Sequence, residues 1–345
     1  MKPKDGLFLG FAAALLALSL WAAKSALTTK QIVIKFPHSV AVNTPKGQGA
    51  EYFRRLVAER LGERVVVEVY PAASLMTDDT SIEALAFGEI QMVAVPLSKL
   101  DRLTKKFQIY DLPFLFPDIA AVERFQASAA GRSLLDSLEG KGFHGLGFWH
   151  NGMKQFSGPK PLREPGDAAG LKFRIMESDV LLAQIQAVGG NPQKMAFAEV
   201  YQALQTGAID AQENTYSNIY TSKFYEVQDS IVESNHGFIG YLLATNSEFW
   251  RALPEDVRVS LEAIANETTA YVNARANAFN AEAKDKIIAA KRAKIIALTQ
   301  AERAAWRQAM APVWEIFTPD IGEELLAAAL AAQTEAEKGA LHAAP

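Results

Sequence analysis

The chain contains no cysteine in its 345 residues. That excludes disulfides and a lipoprotein-type anchor, and a core of this size does not need disulfides. Histidine is scarce. The five are His38, His144, His150, His236 and His342, and none stands at metal-ligand spacing with another His, Asp or Glu. No G-x-S-x-G, phosphate-binding P-loop or G-x-G-x-x-G occurs, so no enzyme constellation is visible. Positive charge is not in excess either: 35 Lys and Arg face 39 Asp and Glu, for a net charge of −4. A nucleic-acid binder would carry a basic stripe, whereas a small anion needs only a few local cations. After Ala23 no apolar run reaches the length of a membrane-spanning helix.

What is present is globular in character, with 49% apolar and 21% charged residues, and the length suits two domains. At the N-terminus Lys2 and Lys4 precede an apolar run from Gly6 to Ala23, followed by Ala23-Lys24-Ser25. A retained anchor would need a longer run. Residues 1–25 therefore read as a cleaved secretory signal, and the mature chain is expected in the periplasm.

A short pattern occurs twice. Ile82-Glu83-Ala84-Leu85-Ala86-Phe87-Gly88-Glu89-Ile90-Gln91 and Tyr201-Gln202-Ala203-Leu204-Gln205-Thr206-Gly207-Ala208-Ile209-Asp210 each read as a helix end, a glycine stop and a strand opening on Ile. Glycine takes the left-handed position past a helix end without steric cost. The second copy runs into the polar Gln212-Glu213-Asn214-Thr215. Ligands of open α/β sheets bind at the carboxyl ends of strands. Two similar α/β units facing a shared cleft are the expected architecture, that of a small-molecule binding protein.

The remaining pattern fits. Ile32–Phe36 and Val65–Tyr70 read as strands around a helix that Thr44 caps and Pro45 opens. Asp78, Asp79 and Thr80 are expected to cap the next helix, and Ile90–Val95 to form the third strand. Ile109–Pro117 reads as an apolar connector plugging the core. Phe143–Trp149 reads as a strand and His150-Asn151-Gly152 as a turn where the chain crosses to the second unit. Leu171–Ile175 is a strand with Arg174 facing out or into a cleft. Helices are expected over 180–188 and 197–206, and a returning strand over 237–245. The pattern opened by Pro254 runs unbroken towards Ala290, long enough to span both units. The expected division is 26–151 plus 240–279 for domain I and 152–239 plus 280–335 for domain II, with a frayed tail at 336–345.

Taken singly, Arg174 reads as a solvated or salt-bridged residue, Asn214 as a turn residue and Lys154 as a surface lysine. His38 and His236 read as structural hydrogen-bonding residues. Yet Arg174, Asn214 and Lys154 fall at the inner edge of the same unit. Arg offers a planar fork, Lys a point charge and Asn a neutral donor, which together suit an anion.

These residues resemble a known family, the periplasmic solute-binding subunits of TRAP (tripartite ATP-independent periplasmic) transporters. The resemblance runs from about Ile32 to Leu326. It rests on Gly170-Leu171-Lys172-Phe173-Arg174, on the segment Met195 to Gly207, on Gln212-Glu213-Asn214 and on Lys223-Phe224-Tyr225-Glu226-Val227. His38 with Asn43-Thr44-Pro45-Lys46-Gly47, Asn151-Gly152-Met153-Lys154 and Ser234-Asn235-His236-Gly237 resemble the C4-dicarboxylate branch. Sialic acid branches usually carry Arg at the place of Lys154. Gly158-Pro159 and Ala211 depart from the usual pattern and leave the substrate open within the class.

The resemblance implies two α/β domains joined by crossing strands and one long helix, with the ligand between them and no cofactor. It implies that Arg174 forms the main salt bridge to a ligand carboxylate, assisted by Asn214 and Lys154, with Phe197 walling the pocket. A second carboxylate is then met from domain I by Lys46, with Ser98 and His38 as lesser candidates. The expected cargo is succinate, malate or fumarate, passed to the membrane permease subunits. Another small carboxylate such as a 2-oxo acid or an aromatic acid, or a sensing role beside a membrane receptor, are the alternatives.

Overall fold

The computed structural model describes residues 31–333. The signal expected at 1–25 and the tail expected at 336–345 lie outside the described residues. Among the described residues no helix is long and apolar enough to cross a membrane.

The chain opens with a βαβ unit: β1 (Ile32–Pro37), α1 (Pro45–Leu61) and β2 (Val65–Tyr70), with β1 and β2 parallel. Thr44 starts α1 as expected, its hydroxyl accepting from the Gly47 N–H at 3.1 Å. α2 (Asp78–Ala86) is capped by Thr77, not by the acidic run after it. Thr77 and Thr80 cap each other reciprocally, and Asp78 and Asp79 occupy the first turn, where the helix dipole favours negative charge. β3 (Met92–Pro96), α3 (Ile119–Ala127) and α4 (Ala129–Asp136) follow.

β4 (Phe143–Met153) leads almost directly into β5 (Gln155–Gly158). Then come β6 (Lys172–Ile175), α5 (Asp179–Ala187), β7 (Asn191–Lys194), α6 (Val200–Thr206), β8 (Ala211–Asn214) and α7 (Tyr216–Thr221). β9 (Ser230–Glu233) and β10 (Phe238–Asn246) carry the chain back. α8 (Ser247–Ala252), α9 (Glu255–Ala290), β11 (Lys294–Ala297), α10 (Gln300–Met310), α11 (Pro312–Ile321) and α12 (Glu323–Ala331) complete the described residues.

The strands form a parallel pair β1-β2, an antiparallel sheet β3-β10-β4 and a mixed sheet β11-β9-β5-β8-β6-β7. The first two lie side by side, since the Gln91 N–H donates to the Lys35 carbonyl. The helix end and glycine stop recur in both units, but the strands open at Met92 and Ala211 and not on Ile90 and Ile209, so Gln212–Asn214 is strand and not a cluster after one. Gly88 and Gly207 sit at φ +74° and +73° behind α2 and α6, and β3 and β8 follow them. The 109–117 connector is core, with Tyr110 surrounded by Phe107, Phe116, Phe125, Phe148 and Phe238.

His150-Asn151-Gly152 is not a turn. It lies inside β4, with His150 opposite Gly240 and Gly152 opposite Ile239. The glycine there permits close approach instead: a Cβ on Gly152 would come within 2.7 Å of Asn280 on α9. β4 is the edge of its sheet, and α9 satisfies the edge backbone with side chains. Asn273 accepts from the His150 N–H at 2.8 Å and donates to the Phe148 carbonyl at 2.9 Å. Asn280 donates to the Asn151 carbonyl at 2.6 Å and accepts from the Ser217 N–H of α7 at 3.0 Å. The 36-residue α9, about 54 Å long at ~1.5 Å per residue, therefore binds to both units.

The last helices depart from the expected division. α12 packs on α3 and α4, and Leu325 and Ala329 share a core with Ile82, Leu85 and Phe125. The stretch 280–335 does not stay wholly with the second sheet, because the apolar face of α12 finds its partners across the molecule.

The ladder between α9 and β4 yields a stability prediction. Asn273→Ala strands a backbone donor and acceptor and should destabilise by about 1–3 kcal/mol. Asn277→Ala, at an exposed position of the same helix, should stay within about 0.5 kcal/mol. Urea denaturation of the two variants and the parent measures the difference.

Candidate functional site

The two strands of the repeated pattern end at one cavity. Pro96, last in β3, and Asn214, last in β8, both line it. The cavity lies between the two units and is nearly closed, with a volume of about 20 Å³ open to water-sized molecules. Larger recesses of about 510 and 940 Å³ lie beside Tyr52 and Tyr271 and beside Lys160 and Lys291. These are open surface grooves whose charged residues face solvent, so neither gathers buried charge.

Arg174 reaches the cavity from β6. It is 3% exposed, because β6 is an inner strand with Phe173 and Ile175 packed in the core. Its Nε and Nη2 donate to the Met195 carbonyl at 3.1 and 2.9 Å. The guanidinium carbon lies 6.0 Å from the centre of the Phe197 ring. Among the described residues no carboxylate pairs with it and Nη1 has no acceptor. Burial lowers its pKa to about 10, so it stays charged at neutral pH and keeps one edge of its fork free.

Asn214 is held in a fixed amide orientation. Its Oδ1 accepts from the Asn218 Nδ2 at 2.8 Å and from the Thr215 N–H at 3.1 Å. Nδ2 is left to donate into the cavity.

The opposite wall is also cationic. Lys46, in the first turn of α1, is fully buried. Its ammonium donates to the Ala94 carbonyl at 3.0 Å, lies 3.5 Å from the Asp78 carboxylate and sits 4.1 Å above the centre of the Tyr241 ring. Burial lowers its pKa, and Asp78 works against that. Lys99 bonds both oxygens of Asp79 at 2.5 Å. Three cations thus line the cavity with a single carboxylate, Asp78, among the lining residues. Asp78 and Asp79 pair with Lys46 and Lys99, so the surplus charge that suits an anion is that of Arg174.

Of the seven residues expected at the site, Arg174, Asn214, Lys46 and Phe197 converge there. Lys154, Ser98 and His38 were expected there too, but they are not among the residues that line the cavity. Lys154 Nζ pairs with the Glu213 carboxylate at 2.9 Å, and His236 Nε2 meets the other Glu213 oxygen at 2.7 Å. Side chains alternate along a strand, so Glu213 faces away from the cavity that Asn214 enters and needs its own counter-charge. Burial would raise the Glu213 pKa, but Lys154 and His236 outweigh it and hold it at about 2. Ser98 donates to Asp111 at 2.6 Å, and it is the next residue, Lys99, that reaches the cavity. His38 is 1% exposed, with neither ring nitrogen hydrogen-bonded.

Sequence reasoning missed Lys99, Asp78, Asn218 and Tyr241 as lining residues. Lys99 carried a usable signal, since it lies just past the end of β3. Asp78 read as a helix cap, and Tyr241 lies within a strand whose facing only the sheet decides.

His38 yields a pH prediction. Burial, and then the nearby Lys46 charge, lower its pKa from 6.5 to about 4. The unfolded chain therefore binds more protons than the folded one between those values. Stability is fully present above pH 6.5 and falls as pH drops through about 4, by on the order of 3 kcal/mol. Melting temperature measured across pH 4–7 should decline with acid, and His38→Leu should flatten that decline.

Residues 36–320 match the family described as bacterial extracellular solute-binding protein, family 7. The C4-dicarboxylate-binding periplasmic protein DctP of Shewanella loihica is 52% identical over 92% of this chain and 94% of its own. That of Vibrio cholerae is 47% identical over 93% of this chain and 97% of its own. Among solved structures, a TRAP periplasmic solute-binding protein from Shewanella oneidensis with bound succinate superimposes with a TM-score of 0.87 at 48% identity, covering 88% of this chain and all (100%) of that one. One from Pseudomonas aeruginosa with bound L-malate gives 0.81 at 44% identity, covering 83% and 99%. With a buried cationic cavity at the facing strand ends of two α/β units, the chain belongs to the family 7 extracellular solute-binding proteins, the periplasmic subunits of TRAP transporters.

Proposed function

We propose that this protein captures a C4-dicarboxylate such as succinate, malate or fumarate between its two α/β units and delivers it to a TRAP permease in the membrane. The observation that carries this reading is the distribution of charge. A buried guanidinium with a free edge stands on one wall, and Lys46 and Lys99 stand on the other. A carboxylate at each end of a short ligand would meet a cation on each side. Relatives that bind such acids share 44–52% of the sequence, which supports the same cargo here. Affinity comes from charge-assisted hydrogen bonds made out of water's reach, with no covalent step.

We take Arg174 as the main anchor, Asn214 as a donor to the same carboxylate, Phe197 as the apolar wall and Lys46 with Lys99 as the cations for the far end. Calorimetry should give micromolar or tighter binding for succinate, malate or fumarate, about −8 kcal/mol or better. A monocarboxylate of equal size that binds as well defeats the two-ended reading. Arg174→Ala should weaken binding by about 2–5 kcal/mol, the cost of truncating one partner of a buried charge pair. Arg174→Lys keeps the charge and loses the fork, so it should fall between. Unchanged binding by well-folded Arg174→Ala removes the site.

The periplasmic placement of the family accords with residues 1–25 acting as a cleaved signal. Mass spectrometry of the exported protein should find an N-terminus close to Ala26, and a full-length chain in the membrane fraction contradicts cleavage.

A further inference from the structure

Asp111 is 1% exposed and lies outside the cavity, yet it is bonded from both sides of it. Its Oδ1 accepts from Ser98 Oγ at 2.6 Å and its Oδ2 from Ser178 Oγ at 2.8 Å. Its main-chain carbonyl accepts from Gln184 Nε2, and Lys154 Nζ lies 3.9 Å from Oδ1. The two serines come from different units. Ser98 is two residues past Pro96, where β3 ends at the cavity, and one before Lys99. Ser178 is the N-cap of α5, four residues past Arg174 and two past Met176. Pro96, Lys99, Arg174 and Met176 all line the cavity. One buried carboxylate thus ties the segments that present the two cationic walls.

We propose that Asp111 is a positioning residue, a clasp between Ser98 and Ser178 that holds the two walls of the cavity at ligand-binding spacing. A carboxylate suits this task because each oxygen accepts from a different serine, whereas an amide has one acceptor oxygen. Lys154 lies 3.9 Å away and is itself paired with Glu213 at 2.9 Å. The link is short and dry; burial raises the Asp111 pKa, while Lys154 and the two serine hydroxyls act against that rise. Breaking either half opens the side-chain link between Ser98 and Ser178, so the two serine bonds act in series, while Gln184 still holds the Asp111 main chain. The ligand consequence rests on the dicarboxylate reading above; the clasp itself does not.

The test uses the full mature chain. With no native cysteine, Phe87→Cys and Gln205→Cys, exposed positions on the two units, take spin labels cleanly, and the distance between them reports closure. In that background Ser98→Ala, Ser178→Ala, the double variant and Asp111→Asn are titrated with succinate. Ser98→Ala is the cleanest change, since Ser178→Ala also removes a helix cap. Each single serine variant should weaken binding about tenfold, as for a lost hydrogen bond to a charged group. The double variant should be no weaker than the worse single. The population at short label distance should fall in every variant, while melting temperature stays high enough for a folded chain at the assay temperature. Additive losses in the double variant overturn the clasp, as do variants that are less stable but close and bind like the parent. If the parent binds no dicarboxylate, the ligand reading fails by itself, and the clasp is then judged on the ligand-free distances. A short-distance population lost in Ser98→Ala supports it. A population unchanged by the variants, or absent from the parent, overturns it.

Discussion

The contact between α9 and β4 sets the frame in which everything else operates. An edge strand carries unpaired N–H and C=O groups that must find partners when buried. Here Asn273 and Asn280 supply them, and Trp149 returns a bond from its indole N–H to Thr269 at 3.0 Å. The close approach needs small residues on both sides. Gly147 and Gly152 provide them on the strand, and the buried Ala276 provides one on the helix. The same Asn280 also holds the start of α7. One rigid helix therefore registers both α/β units, and the chain passes between the sheets at two short segments, around Lys154 and from Ser234 to Gly237. Those segments bond to each other, the Lys154 N–H donating to the Gly237 carbonyl at 2.8 Å.

On that frame the charges are sorted by strand alternation. β8 sends Asn214 into the cavity and Glu213 behind it. Glu213 is neutralised there by Lys154 and bonded by His236, which itself stacks on Phe156 with ring centres 3.7 Å apart. Buried ions are tolerated when paired and hydrogen-bonded and are costly otherwise. The pairs Lys46–Asp78, Lys99–Asp79 and Lys154–Glu213 satisfy that condition. Arg174 satisfies it only in part, through one carbonyl and an aromatic neighbour. A ligand carboxylate would complete its coordination, which is why the least-paired buried cation is also the natural anchor. Binding energy is thereby concentrated where the protein alone leaves a donor edge unused.

The sequence by itself determined the elements that local chemistry governs. Thr44-Pro45 started α1, Gly88 and Gly207 stopped two helices in the left-handed conformation, and the unbroken stretch after Pro254 became a single long helix. These signals lie within a few residues of the structure they cause. The twofold helix–glycine pattern pointed to two facing strand ends, and with the family resemblance to Arg174, Asn214, Lys46 and Phe197, four residues that line the cavity.

Tertiary structure alone decided the rest. β5, β7 and β9, and the polar strand Ala211–Asn214, carry no long apolar run; they are strands because neighbours complete their ladders, as when Gln212 bonds Ser157 at 2.7 Å inside the sheet. His150-Asn151-Gly152 has the composition of a turn, but the helix pressed against it makes it an edge strand. Lys154 and Lys99 are both lysines near strand ends. Each pairs with a carboxylate 59 or 20 residues away, and only Lys99 lines the cavity. A side chain's residue type is local, but its counter-charge comes from a distant part of the chain, so only the folded molecule decides which pairs form and which cations border the cavity.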